Sequence, residues 1–339
     1  MPNKIQFTIP GGRAHFGRFA ANGSKTGLME LAALQGFNLN GSPNKIEAYG
    51  NATGRKAKLD STTIGVDYTA KTKLLHVSHE VLAMAFLGDK AVINQASGTE
   101  TGHEVGPAAG DRRYQLGVTV AKPTGDRKAT VTAVDSKEGT NASAWAATTT
   151  TAVGDVVVPT VANAHWYMAE ASTGDTGAAE PTWPTDGSTV TDGGVTWRDM
   201  GVITYTVTTD YTVDAARAQL VTVEGGAIDV AAKLAAAITL ADGSEATFSL
   251  LVDYSKAALV RNQVIPAGSD VQGELMVNVE DLKGNAKDYY FAKTSITLDG
   301  DLTLINEPGS EQYQEVPISI EVLVDDPADP PFYVEDVPS

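Results

Sequence analysis

The 339-residue chain contains no cysteine, which removes disulfide bonds, thiolate catalysis and cysteine-based zinc sites together. Basic residues are scarce as well: 25 Lys and Arg stand against 42 Asp and Glu, a formal charge of -17. Neutralising a nucleic-acid backbone takes clustered Lys and Arg, so this balance argues against such affinity and favours solubility and repulsion of polyanions. No stretch approaches the length of a membrane span, and the start, Met1-Pro2-Asn3-Lys4-Ile5, has no apolar h-region. The expectation is a chain made and assembled in a cytoplasm. Histidine is limited to His15, His76, His79, His103 and His165, with no H-E-x-x-H, and no Ser stands in a G-x-S-x-G context. The loop Gly23-Ser24-Lys25-Thr26-Gly27 lacks the spacing of a phosphate loop, and neither Asp299-Gly300-Asp301 nor Asp325-Asp326 has the spacing of a calcium loop. The abundant carboxylates leave a glycosidase pair open, since its two acids can lie far apart in sequence, but nothing singles one out. No catalytic, metal or cofactor-binding residue is assigned, and a non-enzymatic protein is expected.

What is present is strand rhythm. Hydrophobic content of 42% and the chain length suit more than one folding unit. Val271, Gly273, Leu275, Val277 and Val279 alternate with Gln272, Glu274, Met276, Asn278 and Glu280, the period of two of a half-buried strand. After a turn at Lys283-Gly284-Asn285, the run Asp288 to Leu298 reads as a strand, Asp299-Gly300-Asp301 as a tight turn, and Leu302, Leu304 and Ile305 as the next strand. Past the turn Glu307-Pro308-Gly309, Val316, Ile318, Ile320, Val322 and Val324 form one apolar face. An antiparallel sheet is predicted, followed by an extended acidic, proline-rich arm from residue 326.

Earlier in the chain, glycines between Gly11 and Gly41 predict short strands joined by turns, and Asn51 to Asp60 reads as a polar loop. Ile64, Val66, Tyr68, Leu74, Leu75 and Val77 have strand character. Ser78 as N-cap and Glu80 in the first turn predict one helix over His79 to Leu87, with Val81, Leu82, Ala85 and Phe86 on its packed face and Gly88 closing it. Asn94 to Asp111 reads as a loop, Arg112 to Ala121 and Lys128 to Val134 as strands. From about Asn141 the texture changes to small residues with Trp145, Trp166, Trp183 and Trp197, and strand character resumes at Ile203 to Val207 and Asp210 to Asp214. An insertion accounts for this. For Ala231 to Ala237 a loop and strand are preferred over a helix.

The ordered set Phe291, Lys293, Gly300, Leu302, Leu304, Ile305, Glu321, Val322, Leu323 and Asp325 resembles the C-terminal half of major tail tube proteins of long-tailed, siphovirus-like bacteriophages. Asp210-Tyr211-Thr212-Val213-Asp214, Gly225-Gly226-Ala227-Ile228 and Val252-Asp253-Tyr254-Ser255 continue the likeness, as does the strand-to-helix passage before Gly88. Within the insertion, Gly154-Asp155, Tyr167, Gly174, Glu180-Pro181, Trp183-Pro184, Thr191-Asp192-Gly193 and Val195-Thr196-Trp197 are similar to small β modules of virion proteins related to carbohydrate-binding modules, with departures at Met168 and Gly194.

These resemblances imply an all-β fold: a tail-tube β-sandwich or barrel with one flanking α-helix, plus a small inserted β module. The tail tube domain would occupy residues 1–140 and 204–325, the module residues 141–203 on the exterior, and the arm residues 326–339. They imply a structural virion protein whose homohexameric rings stack into a tube, with a tape measure protein inside the channel, tail terminator and distal tail proteins as neighbours, and DNA only in transit. A loop in the Asn51 to Asp60 region would reach the next ring. Trp166, Tyr167, Trp183 and Trp197 are the candidates for stacking on sugar rings; the core of the module is the other role open to them. The competing expectation is a secreted or surface glycan-binding β protein.

Overall fold

The computed structural model describes residues 10–31, 33–51, 56–75, 78–266, 270–281, 286–305 and 315–337. In chain order the elements begin with β1 (Pro10–Arg18), β2 (Met29–Glu30), β3 (Ala33–Gly50), β4 (Ala57–Leu75), α1 (His79–Ala85), β5 (Gly88–Gln95) and β6 (Gly98–Val105). They continue through β7 (Arg113–Gln115), β8 (Ala129–Ser136), α2 (Lys137–Asn141), β9 (Ser143–Ala144), β10 (Val156–Val158), β11 (His165–Ser172), β12 (Thr189–Asp192) and β13 (Val195–Val202). The remainder is β14 (Tyr211–Asp214), β15 (Gln219–Thr222), α3 (Ala227–Ala236), β16 (Leu250–Lys256), β17 (Leu259–Pro266), β18 (Gln272–Asp281), β19 (Lys287–Leu298), β20 (Glu315–Leu323) and β21 (Tyr333–Asp336). The fold is all-β, as the alternation predicts. The turns expected at Lys283-Gly284-Asn285 and Glu307-Pro308-Gly309, together with His76, Val77 and the centre of the Asn51 to Asp60 loop, lie outside the described residues.

The chain divides into two compact units, Met1–Ile93 with Asn262–Ser339, and Asn94–Arg261. The first is an eight-stranded sheet in the order β2-β1-β18-β19-β20-β4-β3, with β21 added to β19. Its core follows the alternation. Val271, Leu275 and Val277 are buried beside Phe16, Phe291, Val316, Ile318 and Ile320. Gly273 keeps its place on the apolar side because a Cβ there would meet the Phe16 ring at 2.5 Å and the Gly17 carbonyl oxygen at 2.4 Å. On the opposite face Glu274 is nearly buried, and Lys25 from the Gly23 to Gly27 loop reaches it at 2.7 Å. Helix α1 lies against β19. Its Ser78 cap accepts the Val81 N–H as expected, but Ala83 and Met84 are buried while Phe86 is exposed, and Leu87 takes the left-handed turn assigned to Gly88.

The second unit contains the sheets β6-β16-β8, β14-β15-β7 and β12-β13-β11-β10-β9. The strands of the five-stranded sheet lie between Ser143 and Val202, and the compact unit that holds them, residues 94–261, is wider than the 141–203 expected for an insertion. The reason is a shared core. Trp166, Met168 and Met200 of the module pack in one cluster with Phe248, Leu250, Val252 and Ile228.

Several local expectations are corrected. Three helices occur among the described residues, where one was expected. Residues 227–236 form α3, not a loop and strand: Ile228, Ala231 and Ala235 recur at helical spacing and bury one side, and Asp210 accepts the Ala227 N–H at its start. The run Asn94 to Asp111, read as a loop for its Gly, Ala and Thr content, holds β6, a mostly exposed strand that pairs with β16 and adds the Lys256–Glu100 ion pair at 2.6 Å. Arg112 to Ala121 keeps strand geometry only to Gln115, since Gly117 adopts φ +67° and the chain turns. Ile203 to Val207 and Leu302 to Ile305 are not strands; no described strand runs beside the latter, and Leu304 and Ile305 stay exposed. The arm at the C-terminus is not free throughout, for Tyr333–Asp336 joins the sheet as β21.

Candidate assembly surface

Strands β3 and β4, of 18 and 19 residues, form a hairpin far longer than strands of ordinary domains. The pattern that builds it is the alternation in both strands. Leu39 pairs with Ala70, Gly41 with Tyr68 and Pro43 with Val66, so these positions share one face. Ala70 is fully buried at one end of that face, whereas Leu39 and Val66 are 38% and 43% exposed. The apolar face therefore runs on past the core that should cover it. Farther out, the register slips between Asn44/Lys45 and between Ala48/Tyr49, leaving Ile64 and Leu59 as the extra residues on β4. They are 64% and 70% exposed, with Ile46 at 63% nearby.

At its base the hairpin borders a cleft of about 660 Å³ lined by Gly11, Gly12, Phe37, Leu39, Val279 and Tyr289. Beyond it, β3 is the terminal strand of the sheet, so one whole row of its backbone N–H and C=O groups is unpaired among the described strands. Long open edges are templates for pairing with another chain. Charge at the hairpin is local: Lys58 and Tyr49 bond to Glu47, and the hydrogen bond from Lys58 holds the Glu47 carboxyl below its ordinary range. On the outward side of the sheet Lys71 pairs with Asp299 at 2.8 Å and Lys73 with Glu315 at 2.6 Å.

The polar loop expected over Asn51 to Asp60 is largely strand at its far end, since β4 begins at Ala57. The sequence reading missed Leu39, Ile46 and Leu59. The alternation Ile46, Ala48, Gly50 was the available signal, masked by the glycines and by the polarity around it.

The four aromatic residues proposed for glycan contact are not an exposed platform. Trp166, Tyr167 and Trp197 are fully buried, a correction to their candidacy, and only Trp183 is partly open. Trp183 stacks on Tyr167 with ring centroids 4.4 Å apart and donates its Nε1–H to Glu180 at 2.9 Å. Tyr167 donates its hydroxyl to the Pro184 carbonyl, and burial pushes that hydroxyl up to about 12. Trp166 tilts against Phe248 at 5.7 Å. The module has too few other large side chains to fill its interior, so the rings fill it.

The motif Thr191-Asp192-Gly193 also has a structural role. Asp192 accepts hydrogen bonds from the Trp145 indole at 2.7 Å, the Trp197 indole at 3.3 Å and the Gly177 backbone at 2.8 Å. Gly193, at φ +61°, leaves no room for a Cβ, which would meet the Gly177 nitrogen at 2.7 Å.

Of the histidines, His103 and His165 are held in separate places. His165 Nδ1 lies 2.8 Å from buried Asp199, which also accepts from Gly187 and Gly201. Among the described residues no three His, Asp or Glu side chains gather as a metal ion would require. No helix of the described residues is long and apolar enough to cross a membrane. The chain matches no known protein-family model and no curated protein.

Proposed function

We propose that this chain is a structural subunit of a virion tail, the major tail tube protein of a siphovirus-like phage, whose copies close into hexameric rings that stack around a DNA-conducting channel. The observation that carries this reading is the β3–β4 hairpin, an apolar face prolonged beyond its own core on a strand with an open edge. Such an edge is a hazard for a solitary molecule and is removed when neighbours complete it in a closed ring. The exposed Ile46, Leu59 and Ile64 then supply the contact between copies. The formal charge of -17 suits a wall that DNA must pass without sticking, so the lumen is expected to be net acidic. Residues 141–203 would sit outside the tube, and the neighbours are those the resemblance implies: a tape measure protein within, tail terminator and distal tail proteins at the ends.

The alternative, a secreted or surface glycan-binding β protein, is weakened because three of its four proposed contact rings are buried. Negative-stain electron microscopy of the purified protein tests the proposal. Rings or tubes are expected; a monodisperse monomer at high concentration rejects it, and glycan binding without self-association would favour the alternative.

A further inference from the structure

Strand β19 is served on one side by two different strands. From Lys293 to Leu298 it pairs with β20, and from Lys287 to Tyr290 with β21. Without β21 those four residues would be an open slot inside the sheet. The strand that fills it is lightly held: Tyr333 to Asp336 are all exposed. Its apolar anchor is the preceding Phe332, half-buried with its ring 5.5 Å from Phe291 and 5.7 Å from Tyr68. Tyr333 adds a tilted contact with Tyr290 at 6.3 Å, and Val337 donates its N–H to the Ala286 carbonyl at 2.9 Å.

The link that delivers β21 is itself exposed from Val324 through Pro330. It carries Asp325, Asp326 and Asp329 with Pro327 and Pro330, and its turn is held by two hydrogen bonds to Asp326, from the Ala328 N–H at 2.8 Å and the Asp329 N–H at 2.9 Å. Its tether is the ion pair Lys293–Asp325 at 2.5 Å, with Asp325 77% exposed. Seven such residues extended span roughly 24 Å, enough to reach an adjacent molecule. The contacts β21 makes are indifferent to which copy supplies it, so exchange between copies costs only the loss of the turn.

We infer that the slot along Lys287–Tyr290 is a docking site for the C-terminal strand of a second copy of this chain, with Phe332 as the anchor and Val324–Pro330 as the hinge. This deepens the assembly reading on which it rests, naming a specific tie between subunits.

The chain has no cysteine, so an engineered pair reports without interference. Lys287 and Asp336 face each other across the ladder. In Lys287→Cys/Asp336→Cys, oxidised at high protein concentration, covalent dimers and larger species are expected on a non-reducing gel, their share rising with concentration. Cross-links confined to monomers overturn the exchange. The same sample viewed by negative stain separates the two readings: tubes with monomeric cross-links reject exchange and leave assembly standing, whereas covalent oligomers without tubes support exchange and reject the tube. As a second readout, the chain ended after Pro330 should bind a peptide of residues 331–337, and more weakly when that peptide carries Phe332→Ala. No binding of either peptide overturns the docking site.

Discussion

His103 accepts a hydrogen bond through Nε2 from the backbone N–H of Gly117 at 3.0 Å, and its ring lies edge-on to Tyr254 at 5.7 Å. The bond exists only while that nitrogen is unprotonated. Burial lowers the imidazole below its ordinary range, against the pull of Glu100 and Asp126 and with the help of Lys256 and Lys122.

The sign of the pH effect follows. As pH falls, the unfolded chain takes up the His103 proton first, so the stability contributed by the neutral ring is complete above about 6.5 and is lost as pH falls toward the folded value. Asp126 acts in the same direction at lower pH. Burial alone would raise its carboxyl, but the hydrogen bonds from Lys122 and Tyr254 outweigh that and hold it low. Thermal unfolding should therefore show a midpoint that is flat from pH 8 to 7 and declines below about 6.5. His103→Gln, which can still accept from Gly117, should reduce the decline between pH 6.5 and 5; an unchanged profile would remove His103 from the explanation.

The tryptophans should divide into two classes. Trp166 and Trp197 are fully buried, Trp145 and Trp183 are not. Acrylamide quenching of the native protein is expected to leave about half the emission protected, and Trp183→Phe to remove signal from the accessible fraction. Trp197→Ala should destabilise the module by about 3–5 kcal/mol, as large-to-small changes in a packed core do.

Asp192→Ala leaves the Trp145 and Trp197 indoles and the Gly177 N–H without their acceptor. A loss of about 3 kcal/mol is expected from chemical denaturation, since each buried donor left unpaired costs about 1–3 kcal/mol. Asp192→Asn, which retains one carbonyl oxygen, should lose less.

Ile46→Glu, Leu59→Glu and Ile64→Glu place charge on side chains that are already in solvent, so each should alter folding stability by less than about 0.5 kcal/mol. If copies meet through this hairpin, the triple variant stays monomeric in sedimentation under conditions where the parent chain associates. Association at parental strength would show that the contact lies elsewhere.

Removal of residues 141–203 alone would strip Trp166, Met168 and Met200 from a core they share with Phe248 and Leu250. Such a deletion is expected to give insoluble or partly unfolded protein. Joining Ile93 to Asn262 by a short Gly-Ser linker should instead give a folded β protein, because β5 and β17 pair where the chain leaves and re-enters the first unit. Circular dichroism and sedimentation compare the two deletions directly.

The sequence alone determined the elements in which every second side chain enters a core. Strands β18, β19 and β20 and the cap of α1 were legible because the period of two and the Ser78 to Val81 spacing are local properties of the chain. Only tertiary structure decided the rest. Whether Ala231 packs as part of a helix depends on the sheet residues beside it, and β6 is a strand because β16 offers it a ladder, not because its side chains alternate. The same holds for the rings and the hairpin: Trp166 and Leu59 are both apolar, yet one is fully enclosed and the other 70% exposed. Burial is set by what arrives from distant parts of the chain, and no local pattern records that arrival.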